Sequence, residues 1–192
     1  MAVKTLTPQQ ILRKQKSGEP TNPGEPEQIH RHVISVLVEN SIGALNRVAN
    51  MFSQRGFNLE SVAIGETDDA GVSRMTLVTT GNDRIIGQVL RQLNNLIDTL
   101  RVEDLTAEEY VERELCLIKV RYTSENRSEI MDLATNVFLG KVVDITHDTM
   151  TFELTGPTKK INAFVGLMRH HGIVEVARSG RVAMRRSLIF GD

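Results

Sequence analysis

The sequence predicts an α+β chain of two tandem βαββαβ units, each an antiparallel four-stranded sheet carrying its helices on one face. Three observations predict it. Short apolar runs rich in β-branched residues alternate with segments of helical periodicity. The order strand–helix–strand–strand–helix–strand is written twice, in copies of roughly 70 residues. A polar, strongly charged stretch at 106–114 separates the copies.

In the first copy, Val33, Ile34, Val36, Leu37 and Val38 form the near-continuous apolar run expected of a buried strand. Asn40, Ser41, Ile42 and Gly43 follow as a loop. Leu45, Val48, Ala49 and Phe52 then recur at helical spacing, up to a stop at Gly56. Leu59 to Ile64 reads as a second strand, and the turn residues 67–71 lead into a third, Val72 to Thr79. Asn82 can cap a helix whose apolar face is Ile85, Ile86, Val89, Leu90, Leu93, Leu96 and Ile97, and Thr99 to Leu105 completes the unit.

The second copy repeats this order. Leu115 to Val120 is a strand, and Ile130, Leu133, Ala134, Val137 and Phe138 mark a helix ending at Gly140. Val142 to Ile145 pairs with the alternating Met150, Phe152 and Leu154. Pro157 opens a helix lined by Ile161, Phe164, Val165 and Met168, and Val174 to Ala177 closes the sheet before Arg178 to Asp192 trails off. The expected organisation is a flexible extension over 1–29, a first domain over 30–106, a linker over 107–114 and a second domain over 115–192. Both domains have the split βαβ, or ferredoxin-like, arrangement. Cores this small are marginal, so bare sheet faces and edges favour packing against another chain.

Composition narrows the function. A net charge of −1 and an aromatic share of 4%, without Trp, argue against nucleic acid and anionic membranes as partners. No run approaches the roughly 18 apolar residues that span a bilayer. The single Cys116 cannot form an internal disulfide, which fits a reducing, cytoplasmic setting. No phosphate-loop, dinucleotide or nucleophile-elbow motif occurs, so no catalytic residue is expected. His30 with His32, and His170 with His171, lack a carboxylate or cysteine at metal-binding spacing, and no metal site is expected.

The turn from Asn40 to Leu45 is the most informative stretch. A helix N-terminus presents unpaired N–H groups and positive dipole charge, which suit a carboxylate. Gly43 allows close approach to the backbone, and the Asn40 carboxamide can both donate and accept. The same residues also fit a plain helix cap, and Asn58, after Gly56, fits plain turn punctuation. Asn40 and Asn58 flank opposite ends of the first helix. If both touch one ligand, they come from different copies of the chain.

The run from Ser35 to Asp69, the segments Ser73 to Gly81, Leu100 to Thr106 and Val111 to Val120, and the stretch Ile173 to Arg186 resemble the regulatory small subunits of acetolactate synthase. These carry an ACT domain, an amino-acid-binding module of ferredoxin-like fold. The resemblance implies a non-catalytic regulatory subunit. It would bind and activate a thiamine-diphosphate-dependent catalytic large subunit and confer feedback inhibition by L-valine in branched-chain amino-acid biosynthesis. Thiamine diphosphate, Mg²⁺ and FAD would belong to that partner, and the chain would need no cofactor of its own. The resemblance also implies a homodimer or larger oligomer with valine between paired ACT domains. There Asn40 and Gly43 of one copy would meet Asn58 of the other, with Ile42, Ala44 and Leu45 beside them. The alternative is an ACT-domain sensor serving a different metabolic enzyme.

Overall fold

The computed structural model describes residues 29–186. Most of the expected extension, residues 1–28, lies outside the described residues. The described residues divide into two compact units, one running up to Tyr110 and taking in Arg185 and Arg186, the other Val111–Met184.

The first unit runs β1 (His30–Glu39), α1 (Ala44–Gln54), β2 (Leu59–Glu66), β3 (Val72–Gly81), α2 (Asp83–Asn94) and β4 (Thr99–Asp104). Its sheet has the order β2-β3-β1-β4, with every described pairing antiparallel. Strand residues two apart share a face, so Ile34, Val36 and Val38 of β1 join Met75 and Leu77 of β3 beneath both helices. Ala44, Val48, Met51 and Phe52 of α1 and Val89 and Leu93 of α2 close that core.

Two expectations about these helices need correction. Leu45 and Ala49 are exposed, and the buried stripe of α1 is Ala44, Val48, Met51 and Phe52. The helix starts directly after Gly43, which places Ala44 rather than Leu45 against the sheet. Ile97 is also exposed, because α2 ends at Asn94. Asn95 and Leu96 donate to the carbonyls of Gln92 and Leu93, tightening the last turn and ending the helix at two poor helix formers. The expected cap is present: the Asn82 side chain accepts from the Ile85 N–H at 2.8 Å.

The second unit runs β5 (Tyr110–Arg121), α3 (Arg127–Asp132, continuing as a wider turn through Leu133–Val137), β6 (Lys141–Ile145), β7 (Thr149–Gly156), α4 (Thr158–Met168) and β8 (Ile173–Arg185). The sheet order β6-β7-β5-β8 repeats that of the first unit. Cys116, Ile118 and Val120 of β5 and Met150, Phe152 and Leu154 of β7 pack under Ile130, Ala134, Ile161, Phe164 and Met168. Burial pushes the Cys116 thiol pKa up, so this cysteine behaves as a small apolar residue. Val137, expected on the buried face of α3, points outward. The Phe138 N–H reaches back five residues to the Leu133 carbonyl, and this extra residue in the turn carries Val137 off the core while Phe138 packs on it as expected.

Two boundaries also differ from expectation. The charged residues 110–114, assigned to the linker, are the start of β5. The closing strand extends to Arg185 rather than ending at Ala177. One cause explains both. Glu112 and Glu114 face Arg181 and Arg178 across the sheet, so these charges are paired cross-strand partners and not solvated linker residues.

Gly140, between α3 and β6, has no room for a side chain. An added Cβ would lie 2.7 Å from Leu154 Cδ1 and 3.0 Å from the Ala134 carbonyl oxygen. Gly140→Ala should therefore destabilise the second unit by about 1–3 kcal/mol, as overpacking does. A urea midpoint equal to that of the parent chain would contradict this.

Candidate functional site

The turn between β1 and α1 meets two other connections, β2–β3 and α2–β4, and the Arg47 side chain of α1. The Asn40 N–H donates to the Gly71 carbonyl at 2.7 Å. Its carboxamide Nδ2 donates to Glu66 Oε1 at 3.1 Å and to the Ala70 carbonyl at 3.0 Å, tying the turn to the β2–β3 hairpin. Both amide hydrogens of Asn40 are thus engaged within the chain, and Oδ1 is the part of the group left to accept from a ligand. The expectation that this amide donates and accepts narrows to acceptance.

Gly43 precedes α1 at φ 89° and ψ 0°, a left-handed conformation that side chains with a Cβ rarely adopt. It makes no side-chain cap, and the first turn of α1 contains no acidic residue. The Ala44 N–H is taken by the Ser41 carbonyl. The N–H groups of Leu45 and Asn46 meet no acceptor among the described residues. The contrast with α2 is sharp, since that helix has both the Asn82 cap and Asp83 in its first turn. The N-terminus of α1 is electropositive and open.

Arg47 and Asp98 belong to the site and were missed by the sequence reading. The Arg47 guanidinium folds back over the turn, donating from Nη2 to Ser41 Oγ at 3.1 Å and to the Ile42 carbonyl at 3.3 Å. Its Nε donates to Asp98, which lies between α2 and β4 and also accepts from Ser41 Oγ at 3.2 Å. The hydrogen bond from Arg47 is the main reason the Asp98 carboxyl lies below its ordinary pKa, against a contrary push from burial. A signal for this pair exists in the sequence. An arginine in the first turn of a helix opposes the dipole and calls for an acidic partner. Its identity depends on where the α2–β4 connection lands.

The apolar members of the turn face outward. Ile42 is fully exposed and Leu45 nearly half exposed, while Ala44 is buried under the helix. Asn58 is exposed too, and its carbonyl accepts from Thr79 Oγ1. It stands far from Asn40. Glu39 pairs with Val72 at one end of β3, and Leu59 pairs with Thr79 near the other. Seven strand residues at ~3.4 Å each separate those ends by about 24 Å. One copy of the chain cannot bring Asn40 and Asn58 to the same amino acid, which is only a few ångströms long.

The likenesses to known proteins agree with this architecture. Residues 34–101 match the AHAS small subunit-like ACT domain, and residues 113–187 match the small subunit of acetolactate synthase. The acetolactate synthase small subunit of Aquifex aeolicus is 49% identical over 163 residues, covering 84% of this chain and 84% of the relative. The isozyme 3 small subunit of Escherichia coli is 43% identical over 157 residues, covering 81% of this chain and 96% of the relative. The crystal structure of the acetolactate synthase small subunit from Thermotoga maritima superposes with a TM-score of 0.75 at 37% identity, covering 83% of this chain and 99% of that one. With both units matched and nearly the full length of these relatives aligned, the chain belongs to the acetolactate synthase small-subunit family.

Proposed function

We propose that the chain is a non-catalytic regulatory subunit that binds the catalytic large subunit of acetolactate synthase, activates it and confers inhibition by L-valine. The observation that carries the valine reading is the open N-terminus of α1 beside two outward-facing aliphatic side chains. The N–H groups of Leu45 and Asn46 suit the carboxylate of a free amino acid, with the Arg47 charge nearby. Oδ1 of Asn40 suits its ammonium group. Ile42 and Leu45 offer half of an aliphatic wall. A second copy of the chain completes it and supplies Asn58, which makes the site a dimer site. Thiamine diphosphate, Mg²⁺ and FAD stay with the catalytic partner.

Magnitudes are compatible with metabolite sensing. Burying the valine side chain contributes about 1.5–3 kcal/mol, and each hydrogen bond to a charged group about 1.5–3 kcal/mol. Several kcal/mol are lost to association. The affinity then falls on the order of micromolar to millimolar. Leucine and isoleucine differ from valine by one methylene and should be only weakly discriminated.

The test is calorimetric titration of L-valine into the chain, alongside activity of the complex reconstituted with the catalytic subunit. Asn40→Ala and Asn58→Ala should each weaken valine binding by at least about tenfold, since each removes a hydrogen bond to a charged group. Activation of the catalytic subunit should persist in both. Full valine sensitivity in both variants would remove the site, and failure to raise the activity of the catalytic subunit would remove the regulatory reading.

A further inference from the structure

At the opposite end of β1 from the valine turn, His30 and His32 project from the same side of the strand, their ring centroids 4.3 Å apart. Asp83, the first residue of α2, comes beside them, with Oδ1 3.5 Å from His30 Nε2. One ligand atom from each of His30, His32 and Asp83 lies within 4.8 Å of the other two. These three, with Asp104 and Thr106, line a cleft of about 350 Å³ against Ile86 and Leu90.

His32 is the member that calls for an explanation. It is only 5% exposed. Its Nδ1 is held by Asp104 Oδ2 at 2.8 Å, and Asp104 is itself fixed through Oδ1 by the Thr106 N–H. Its Nε2 is buried and has no partner among the described residues. A buried ring nitrogen without a partner is costly in a native protein. An imidazole that donates from one nitrogen to a carboxylate and leaves the other bare has the arrangement that metal-binding histidines adopt.

We propose that His30, His32 and Asp83 form a binding site for a divalent transition-metal ion of the zinc type, with Asp104 orienting His32 from behind. The donor set decides the ion class. Two imidazoles and one carboxylate suit Zn²⁺, Co²⁺ or Ni²⁺, whereas Mg²⁺ and Ca²⁺ prefer all-oxygen cages. The spacing is close to what a tetrahedral ion requires, because two ligands at ~2.0 Å from zinc stand ~3.3 Å apart. His30 and Asp83 already meet that separation, and both are partly open to solvent, which gives the ion a path in. His32 closes the set by a small movement. Three protein ligands leave a fourth position for water. The bound ion would tie the start of β1 to the first turn of α2. Sequence spacing could not reveal the site, since its carboxylate comes from a different element.

The test uses the full chain, tag-free and stripped with chelator, titrated with Zn²⁺ by calorimetry and with Co²⁺ by visible absorption. The expected result is one equivalent bound per chain, with the intense Co²⁺ bands of a four- or five-coordinate site and a raised thermal midpoint. Asp83→Asn, at an exposed position, should weaken binding at least tenfold without unfolding the chain. Asp104→Asn should weaken it by about 10–100-fold while leaving the stoichiometry unchanged. The paired change His170→Ala with His171→Ala should leave binding intact. Zinc binding that is unaffected by Asp83→Asn, binding lost with His170 and His171, or no stoichiometric binding would each overturn the proposal.

Discussion

Replacing Arg178 with alanine is expected to lower the stability of the second unit by about 3 kcal/mol at neutral pH. This is the lower end of the range for breaking a buried ion pair, because Arg178 keeps 35% of its side chain in solvent. Glu114 is only 4% exposed and receives two parallel hydrogen bonds from the Arg178 guanidinium, at 2.6 and 2.7 Å, and a third from Thr158 Oγ1 at 3.2 Å. Removing the arginine leaves a carboxylate in the interior with one neutral donor. Burial by itself would raise the Glu114 pKa. The hydrogen bonds from Arg178 and Thr158 and the charges of Arg178 and Arg181 together hold it below the ordinary carboxylate range. The sign follows from that direction. The folded form holds this proton less tightly than the unfolded chain, so the pair's contribution is complete above the ordinary glutamate pKa and disappears as pH falls through the lowered value. Urea unfolding should therefore show the largest gap between parent and Arg178→Ala near neutrality, shrinking in acid. A gap independent of pH would mean that the loss is one of packing only. The double change Glu114→Leu with Arg178→Leu should recover much of the stability, since an apolar pair needs no desolvation of charge.

Phe52→Ala should cost the first unit about 3–5 kcal/mol, the usual penalty for emptying a large aromatic site in a core. Phe52 is buried among Ile34, Val36, Met75 and Leu77, and it meets Phe57 edge-on with centroids 6.2 Å apart. It also anchors α1, whose first turn carries the proposed effector site. A domain of this size has a net stability near the low end of 5–15 kcal/mol, so the loss is a large part of the whole. Valine response should fall although no residue of the turn has changed. The difference from Asn40→Ala lies in the unfolding curve. Phe52→Ala moves the denaturant midpoint strongly, whereas Asn40→Ala removes the response while moving it little. A Phe52→Ala chain that unfolded at the parent midpoint would show that α1 is held by contacts other than this core.

Much of the fold was legible because it rests on local periodicity. Cys116, Ile118 and Val120 alternate, Met150, Phe152 and Leu154 alternate, and Ile161, Phe164 and Met168 recur at helical spacing. All nine are buried. Where the reading failed, the deciding feature was non-local or depended on one residue of phase. The left-handed Gly43 set the start of α1 and turned Leu45 outward. One additional residue in the wide turn that continues α3 put Val137 in solvent and left Phe138 on the core. The charged stretch before Leu115 looked like a linker because charge is usually solvated, whereas here the glutamates pair with arginines of the closing strand.

The candidate sites divide in the same way. The chain order singled out the turn at Asn40 and Gly43 as a candidate, since a polar loop with a glycine ahead of an amphipathic helix is a local pattern, one that a plain helix cap shares. It also showed that Asn58 belongs at the other end of that helix, because a helix separates its ends by its own length. Only the tertiary structure showed that both amide hydrogens of Asn40 are engaged by Glu66 and Ala70. It alone paired Arg47 with Asp98 and brought Asp83 to the two histidines. The physical reason is range. Periodicity and capping act over one helical turn or one strand pair, whereas a buried charge or a bare ring nitrogen takes its partner from whichever element the packed core sets beside it.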